Sequence, residues 1–129
     1  MNNWLIEQIF NRSGSRRLEY IKVDRDLNIV DTFPRVGRFA DRPDKVIYKE
    51  DVRLCFPELI GVEEILIDIL EGHQERFELK GITRTFESEP PLYIDIYAIA
   101  SNDHPRKNRL FILFEDVTEK LVLEPIRFS

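Results

Sequence analysis

Residues 110–114, Leu-Phe-Ile-Leu-Phe, form an unbroken apolar run near the end of the chain. Because successive side chains of a strand point to opposite faces, such a run is typical of a central strand covered on both sides. Asp116 follows the run and Glu119 comes three residues later, which is the spacing of a reciprocal helix cap with Asp in place of Ser or Thr. The pattern predicts a central strand, over residues 108–117, that leads directly into a capped helix.

Alternation of apolar and polar residues predicts four more strands, at residues 18–23, 29–33, 77–86 and 92–100. The first two flank the turn at residues 24–28, so they are expected to form a hairpin. The strand at 92–100 has a mixed face with Tyr93, Asp95 and Tyr97, and an apolar face that consists of Leu92, Ile94, Ile96, Ala98 and Ala100. Gly81 interrupts the alternation of the preceding strand and predicts a bulge there.

The middle of the chain is expected to be helical. Its strongest helix signal is a set of apolar residues three and four positions apart: Val62, Ile65, Leu66, Ile69 and Leu70. Gly72 follows where a left-handed C-terminal cap belongs. A shorter helix is predicted from Glu50 onward, and it must end at Phe56 because the residue before Pro57 is disfavoured in the α region. Residues 34–49 contain prolines and a glycine that block long regular structure, and one helical turn is expected there.

Residues 3–12 have the pattern of a short amphipathic helix, with an apolar stripe that comprises Trp4, Leu5, Ile6, Ile9 and Phe10. The order helix, two strands, helices, three strands favours an α+β domain with helices on one face of an antiparallel sheet. Trp4, Leu5, Ile9 and Phe10 are too apolar for a free surface helix, so we expect them to cover the outer sheet face in a homodimer. The alternative is that this helix folds back on its own sheet in a monomer.

Composition narrows the class of protein. At 129 residues and 15.4 kDa, with 43% hydrophobic and 33% charged residues, the chain is expected to form one globular domain. Its net charge of −5 is spread over a mildly basic front and an acidic remainder, which argues against binding to nucleic acid. No apolar run approaches the roughly 20 residues of a membrane span, and no signal-peptide pattern opens the chain. With a single cysteine, these features predict a reducing, cytoplasmic location.

The order of elements and the segment at residues 114–119, Phe-Glu-Asp-Val-Thr-Glu, resemble the PAS family of sensory domains, whose last strand commonly ends in Asp-Ile/Val-Thr-Glu before a signalling helix. Residues 56–61, Phe-Pro-Glu-Leu-Ile-Gly, resemble the helical middle of those domains, and residues 24–29, Asp-Arg-Asp-Leu-Asn-Ile, resemble their first hairpin. Together with residues 77–82, Phe-Glu-Leu-Lys-Gly-Ile, these segments look like input segments of bacterial sensor kinases and nucleotide cyclases, cyanobacterial ones among them.

The resemblance covers residues 16–120, between the N-terminal helix at 1–15 and a segment at 121–129 that is the start of an output helix or a C-terminal tail. It implies a five-stranded sheet in the spatial order 2-1-5-4-3, in which the strand at 110–114 is central. Pro125 is expected to keep the output helix short, because proline stops a helix.

Few residues could bind a cofactor or react with one. Some PAS domains bind haem through a helix histidine, but His73 lies off the apolar stripe of its helix and His104 lies in a predicted turn. Light-sensing PAS domains have a flavin-reactive cysteine that follows Asn and precedes Arg-Phe-Leu-Gln. Cys55 lacks both neighbours, so we expect a buried structural thiol. No further His or Cys has metal-ligand spacing, and no haem, flavin, metal or other cofactor is expected.

Catalytic residues are not evident either. Arg35, Arg38 and Arg42 form a basic loop that could grip a phosphate or carboxylate, but no glycine-rich cradle assists them and a solvated loop is expected. The acidic residues of the middle helix lie off its apolar stripe and are expected to form a solvated face: Glu63, Glu64, Asp68 and Glu71. The loop serines lack a positioned histidine. The chain is therefore expected to be non-enzymatic.

These observations predict a sensory and protein-interaction module of bacterial signal transduction, as in two-component systems. A small-molecule ligand or a partner would alter packing between the helices and the sheet, at the pocket candidates Leu54, Phe56, Ile65, Ile69, Leu79, Ile94 and Ile96. The last strand would pass the change to Asp116, Thr118 and Glu119, and on to an effector domain or a kinase or cyclase partner. One alternative is a ligand-free homodimerisation module with a filled core. A less favoured one is a small enzyme with a cone-shaped α+β fold.

Overall fold

The computed structural model describes residues 18–33, 35–87, 89–101 and 109–119. Five strands form one antiparallel sheet in the order β2-β1-β5-β4-β3, as the resemblance implied. The strands are β1 (Leu18–Val23), β2 (Ile29–Thr32), β3 (Arg76–Arg84), β4 (Leu92–Ser101) and β5 (Arg109–Asp116). Two α-helices, α1 (Val52–Cys55) and α2 (Glu63–Leu70), lie in the middle of the chain with three 3-10 turns at Val36–Phe39, Pro43–Lys45 and Pro57–Leu59.

Strand β5 occupies the centre of the sheet, as its apolar run predicted. Leu113 pairs with Tyr20 of β1 on one side and with Tyr97 of β4 on the other. Every side chain from position 110 to position 115 is buried, including that of Glu115. The strand is therefore held by hydrogen bonds along both edges and by packing on both faces.

The predicted hairpin joins β1 to β2 through a turn that the Asp24 carboxylate organises. Its Oδ1 accepts the backbone N–H of Asp26 and of Asn28, both at 2.9 Å. Leu27 has a left-handed backbone with φ 66°, which is unusual for an aliphatic residue. This conformation buries the Leu27 side chain and lets its carbonyl accept the N–H of Val52 at 2.9 Å. The hairpin turn is thus attached to the start of α1.

Local signals explain the helical segment between β2 and β3. Residues 35–49 form two 3-10 turns, at Val36–Phe39 and Pro43–Lys45, rather than the single turn expected. Helix α1 begins at an Asp51 cap, whose Oδ1 accepts the Arg53 N–H at 2.9 Å, and it ends before Phe56 as Pro57 predicted. The hydrogen bond from the Arg53 side chain lowers the pKa of Asp51, so this cap is charged at neutral pH.

Helix α2 ends in the left-handed glycine cap that the sequence predicted. Gly72 has φ 80°, and its N–H donates to the Ile69 carbonyl at 3.2 Å. The next residue, His73, donates its N–H to the Asp68 carbonyl at 2.8 Å, which completes a Schellman motif.

Strand β3 carries the predicted bulge at Gly81. Leu79 pairs with Ile96 and Ile82 pairs with Ile94, so two residues of β3 oppose Asp95 alone. Gly81 has φ 71°, and its N–H donates to the Asp95 Oδ1 at 2.8 Å. The buried carboxylate and the glycine together hold the bulge in place.

The two faces of the sheet have separate apolar clusters. On the inner face, strand residues join helical residues in one buried core, with Phe39, Phe56, Leu59, Leu66 and Ile69 from the helical segment. On the outer face, a smaller cluster, here called the outer cluster, consists of Leu18, Tyr97, Ile99, Phe111 and Leu113, with Tyr20 at its margin. None of the described helical residues belongs to the outer cluster. Within the described ranges the helices therefore occupy one face, as predicted.

Some predictions fall outside the described residues. They concern the N-terminal helix with Trp4, Leu5, Ile9 and Phe10, and the segment at 121–129. Among the residues that are described, no helix is both long and apolar enough to cross a lipid bilayer.

Replacing Gly72 with alanine is expected to lower the free energy of unfolding by about 1 kcal/mol, because a Cβ is strained in the left-handed region. An added Cβ would meet nothing within 4 Å there, so the loss would come from the backbone alone. Gly37→Ala is the matched control, since its Cβ would lie 3.9 Å from Pro43 and no left-handed φ is involved. Urea unfolding measures both variants, and an equal loss from the two would contradict this account.

Candidate functional site

Three phenylalanine rings meet where a ligand pocket was predicted. Phe114 of β5 stacks on Phe56 with ring centroids 4.2 Å apart, and on Phe39 with centroids 6.0 Å apart, both at 20° between planes. All three side chains are fully buried. Phe114 points inward because it occupies an inner position of β5, and Phe56 is brought to it where Pro57 ends α1. The centre of the sheet and the helical segment are therefore in direct aromatic contact.

The remaining pocket candidates surround this aromatic core unevenly. Ile69, Ile94 and Ile96 are buried in it, and Ile65 and Leu79 are half-buried at its margin.

The placement of Leu54 in the interior was wrong, because its side chain is 50% exposed. Helix α1 has only four residues, and its inward positions are taken by Val52 and Cys55, three positions apart. Leu54 lies between those two positions along the chain and faces outward.

A buried ion pair connects the edge strand β3 to the helical segment. The Arg84 side chain is 6% exposed, and its guanidinium forms two hydrogen bonds with the Glu58 carboxylate. The Arg84 Nε donates to the Phe39 carbonyl at 3.0 Å. One guanidinium thus links β3 to two 3-10 turns beside the aromatic core. The sequence did not predict this pair, although Arg84 follows Ile82 in the inward alternation of β3.

A second ion-pair cluster corrects the expectation of a solvated basic loop. Arg38 donates from Nε to the Glu19 Oε2 at 2.8 Å and from Nη1 to the Asp116 Oδ2 at 3.4 Å. The two carboxylates are only 8% and 9% exposed, because Glu19 and Asp116 occupy inner positions of β1 and β5. By contrast, Arg42 forms an exposed pair with Asp44 at 3.3 Å, and Arg35 is exposed.

The predicted helix cap lies at the end of β5. Asp116 Oδ1 accepts the N–H of Thr118 at 3.0 Å, and a helix begins at Thr118. The Thr118 Oγ1 accepts the Tyr93 N–H at 3.0 Å, while the Tyr93 carbonyl accepts the Val117 N–H at 2.9 Å. Glu119 is exposed in the first turn. The first residues of the C-terminal helix are thus fastened to β4 and β5 together.

Cys55 and His73 differ in their surroundings, since one is buried and the other is exposed. Cys55 is fully buried and its thiol donates to the Lys45 carbonyl at 3.0 Å. Burial, and then the negative charge of Glu50, raise the pKa of Cys55 to about 11, so the thiol is neutral at physiological pH. His73 is 68% exposed and lies 3.8 Å from Asp68.

Asp68, Glu71 and His73 lie close together at the end of α2, all of them exposed. Within this group Glu71 already pairs with Arg25 at 2.5 Å. Exposed acidic groups of this kind are common in proteins without a bound ion.

The outer face carries a buried polar contact that the sequence did not predict. The Tyr97 hydroxyl donates to the Glu115 Oε1 at 2.9 Å, and the Lys80 Nζ lies 5.8 Å from the centroid of the Tyr97 ring. Burial and the hydrogen bond to Glu115 raise the pKa of Tyr97. This pair fixes β4 against β5 directly before Asp116.

Truncating Arg84 to methionine is expected to lower the free energy of unfolding by about 3 kcal/mol, because the Glu58 charge loses its buried partner. Adding Glu58→Leu removes that charge and should restore part of the loss. The control is Arg25→Met, whose pair with Glu71 is exposed and should be worth less than about 1 kcal/mol. Denaturant unfolding of these variants measures the coupling, and equal losses for the two arginines would refute it.

Comparisons with known proteins bear on the fold. No protein-family model matches the sequence, and no curated protein matches it significantly. Among solved structures, the chain is similar to a sensory box sensor histidine kinase from Vibrio cholerae, with a TM-score of 0.52 and 12% identity over 88% of this chain and 90% of that chain. A PAS domain from Colwellia psychrerythraea matches with a TM-score of 0.53 and 11% identity, over 89% of this chain and 98% of that one.

The PAS domain of an HTR-like protein from Haloarcula marismortui has a TM-score of 0.50 and 13% identity, over 89% of this chain and 99% of that chain. The sheet order β2-β1-β5-β4-β3 and the helices on its inner face agree with these neighbours. The cone-shaped fold considered as an alternative is therefore not adopted. This chain has the fold of PAS domains.

Proposed function

We propose that this protein is a non-enzymatic sensory and protein-interaction module of bacterial signal transduction, which passes a packing change through β5 to the C-terminal helix. The observation that carries the proposal is the aromatic core. Phe114 contacts Phe56 and Phe39 of the helical segment, and two residues later Asp116 caps the helix that begins at Thr118. A similar fold in a sensor histidine kinase supports a signalling role.

The mechanism follows from the stiffness of β5. The strand is hydrogen-bonded to β1 and β4 along its length, so a force on the Phe114 ring displaces the strand as a unit. A ligand or partner that favours one packing of Phe56 or Phe39 would shift the population of strand positions. Such a shift requires different affinity for the two packings.

A second candidate is a ligand-free homodimerisation module, and the aromatic core favours it over a small-molecule sensor. Three stacked rings occupy the interior at which the pocket candidates converge. A close-packed interior admits a ligand only if side chains move. Under this candidate the signal is the binding of a partner protein, and the route through β5 is the same.

The absence of an enzymatic role is part of the proposal. The charged side chains around the core, of which Arg84 and Glu19 are buried, are engaged in ion pairs: Arg84 with Glu58, and Arg38 with Glu19. General acid–base catalysis needs such groups within reach of a substrate proton. Paired in this way, they hold the helical segment on the sheet.

The proposed homodimer uses the N-terminal helix, with Trp4, Leu5, Ile9 and Phe10 placed over the outer sheet face. The outer cluster offers such a helix an apolar surface, because none of the described helices packs on its five members.

The sensory role can be tested by placing the domain in a histidine kinase in exchange for its own PAS input. Phe56→Leu and Ile69→Val alter the aromatic core conservatively, and each is expected to change autophosphorylation by about fivefold, the effect of a 1 kcal/mol shift between two states. Leu54→Ala, at an exposed position of α1, is the control and should leave the rate unchanged. If all three variants behave alike, the proposed route is wrong.

The homodimer can be tested by sedimentation of the intact chain and of a chain that lacks residues 1–13. The intact chain is expected to be a dimer and the truncated chain a monomer, because the truncation removes the apolar stripe. A monomer at tens of micromolar in both samples would rule the dimer out and favour a helix that folds back on its own sheet.

A further inference from the structure

We propose that Arg38 couples the position of the helical segment to the strength of the C-terminal helix cap, by holding the carboxylate of Asp116 in its capping orientation. This inference rests on the proposed function, since the C-terminal helix is the proposed output. Arg38 would carry the signal over the last step, from the aromatic core to the Asp116 cap.

Two contacts of the Asp116 carboxylate bear on the helix cap. Oδ1 accepts the N–H of Thr118 at 3.0 Å, and Oδ2 faces the Arg38 Nη1 at 3.4 Å. Because both oxygens belong to one planar group, a contact at Oδ2 restricts rotation and keeps Oδ1 directed at Thr118. The long Oδ2 contact is at the limit of hydrogen bonding, so a small displacement of Arg38 is enough to break it.

Arg38 is tied to the helical segment through its neighbour. Its guanidinium lies 4.3 Å from the centroid of the Phe39 ring, and that ring stacks on Phe114. Both residues belong to the same 3-10 turn, Val36–Phe39. A shift of the Phe39 ring within the core therefore moves the Arg38 guanidinium as well.

The second contact of Arg38 is anchored on the sheet. Glu19 pairs directly with Phe114 in the β1–β5 register, and its Oε2 accepts from the Arg38 Nε at 2.8 Å. The hydrogen bond to Glu19 is shorter than the contact with Asp116. A displacement of Arg38 therefore breaks the Asp116 contact first. Arg38 also places a positive charge between two nearly buried carboxylates on adjacent strands, which would otherwise repel each other.

Amide hydrogen exchange in the full chain tests the coupling, with the N–H of Thr118 as the reporter. Arg38→Met is expected to accelerate Thr118 exchange by about fivefold beyond any change in global stability, the effect of losing a typical helix cap. Arg42→Met is the matched control, because Arg42 lies in the same loop but pairs with the exposed Asp44. Equal exchange rates for the two variants would overturn the proposal.

Arg38→Lys provides a milder test that keeps the positive charge and the fold. A lysine ammonium is a point charge without the planar fork of a guanidinium, so it cannot keep the separate Nε and Nη1 contacts in place. Thr118 exchange is expected to be intermediate between that of the native chain and that of Arg38→Met. A rate equal to the native one would show that the bridging geometry is not required.

A second measurement tests whether a change in core packing affects the Asp116 cap through Arg38. Phe39→Leu changes the ring packing, and it should accelerate Thr118 exchange in the native background but not in the Arg38→Met background. The same acceleration in both backgrounds would overturn the coupling.

These readouts are separate from signalling. If exchange depends on Arg38 while the kinase chimera ignores core substitutions, the coupling holds and the proposed function fails. If the chimera responds to the core substitutions while Thr118 exchange is independent of Arg38, the coupling is refuted and the proposed function is not.

Discussion

The contact of Phe114 with Phe56 and Phe39 is the interaction on which the rest of the structure depends. Aromatic side chains bury roughly 150–250 Å² each and dominate the energetics of a core. The helical elements above the sheet are short: α1 has four residues and the 3-10 turns have three or four. Helices of this length do not persist alone in water. The conformation of α1 and of the turns at Val36–Phe39 and Pro57–Leu59 is stabilised because each buries an aromatic or aliphatic side chain in the core. The turn at Pro43–Lys45 buries none of its own residues.

Around this core, ion pairs decide where the helical segment lies on the sheet. Arg84 fixes the segment to the edge strand β3 through Glu58, and Arg38 fixes it to β1 and β5 through Glu19 and Asp116. Buried ion pairs contribute little net stability because desolvation offsets their attraction. Their hydrogen bonds are directional, however, so they select one arrangement among the many that apolar packing alone would allow.

Backbone strain is stored where the β1–β2 hairpin meets the residues that precede α1. Leu27 and Lys49 both have left-handed backbones, with φ of 66° and 74°. Between them, Ile29 exchanges hydrogen bonds with the neighbouring segment: its N–H donates to the Glu50 carbonyl at 2.8 Å, and its carbonyl accepts the Lys49 N–H at 2.7 Å. These bonds, with the burial of Leu27, offset the strain and hold β2 against the residues that precede α1.

Periodicity and end signals in the sequence determined most of the secondary structure. The apolar run of β5, the glycine cap of α2, the bulge at Gly81 and the Asp116 cap depend on neighbours close in the chain, so they leave a local pattern. The spatial order of the strands was not contained in that pattern; it was implied by the resemblance to PAS domains, and the structure confirms it. Residue bounds shifted by one or two positions, as at β3 and β5.

Only the tertiary structure decided which charged residues are buried and which apolar residue is exposed. Arg38 and Asp116 lie 78 positions apart and Arg84 and Glu58 lie 26 apart, and such pairs have no signature in local sequence. Leu54 was misplaced because a helix of four residues is too short for its apolar face to be inferred from periodicity. Local sequence sets the conformation of each element, whereas long-range pairing of side chains sets which of its faces meets the core.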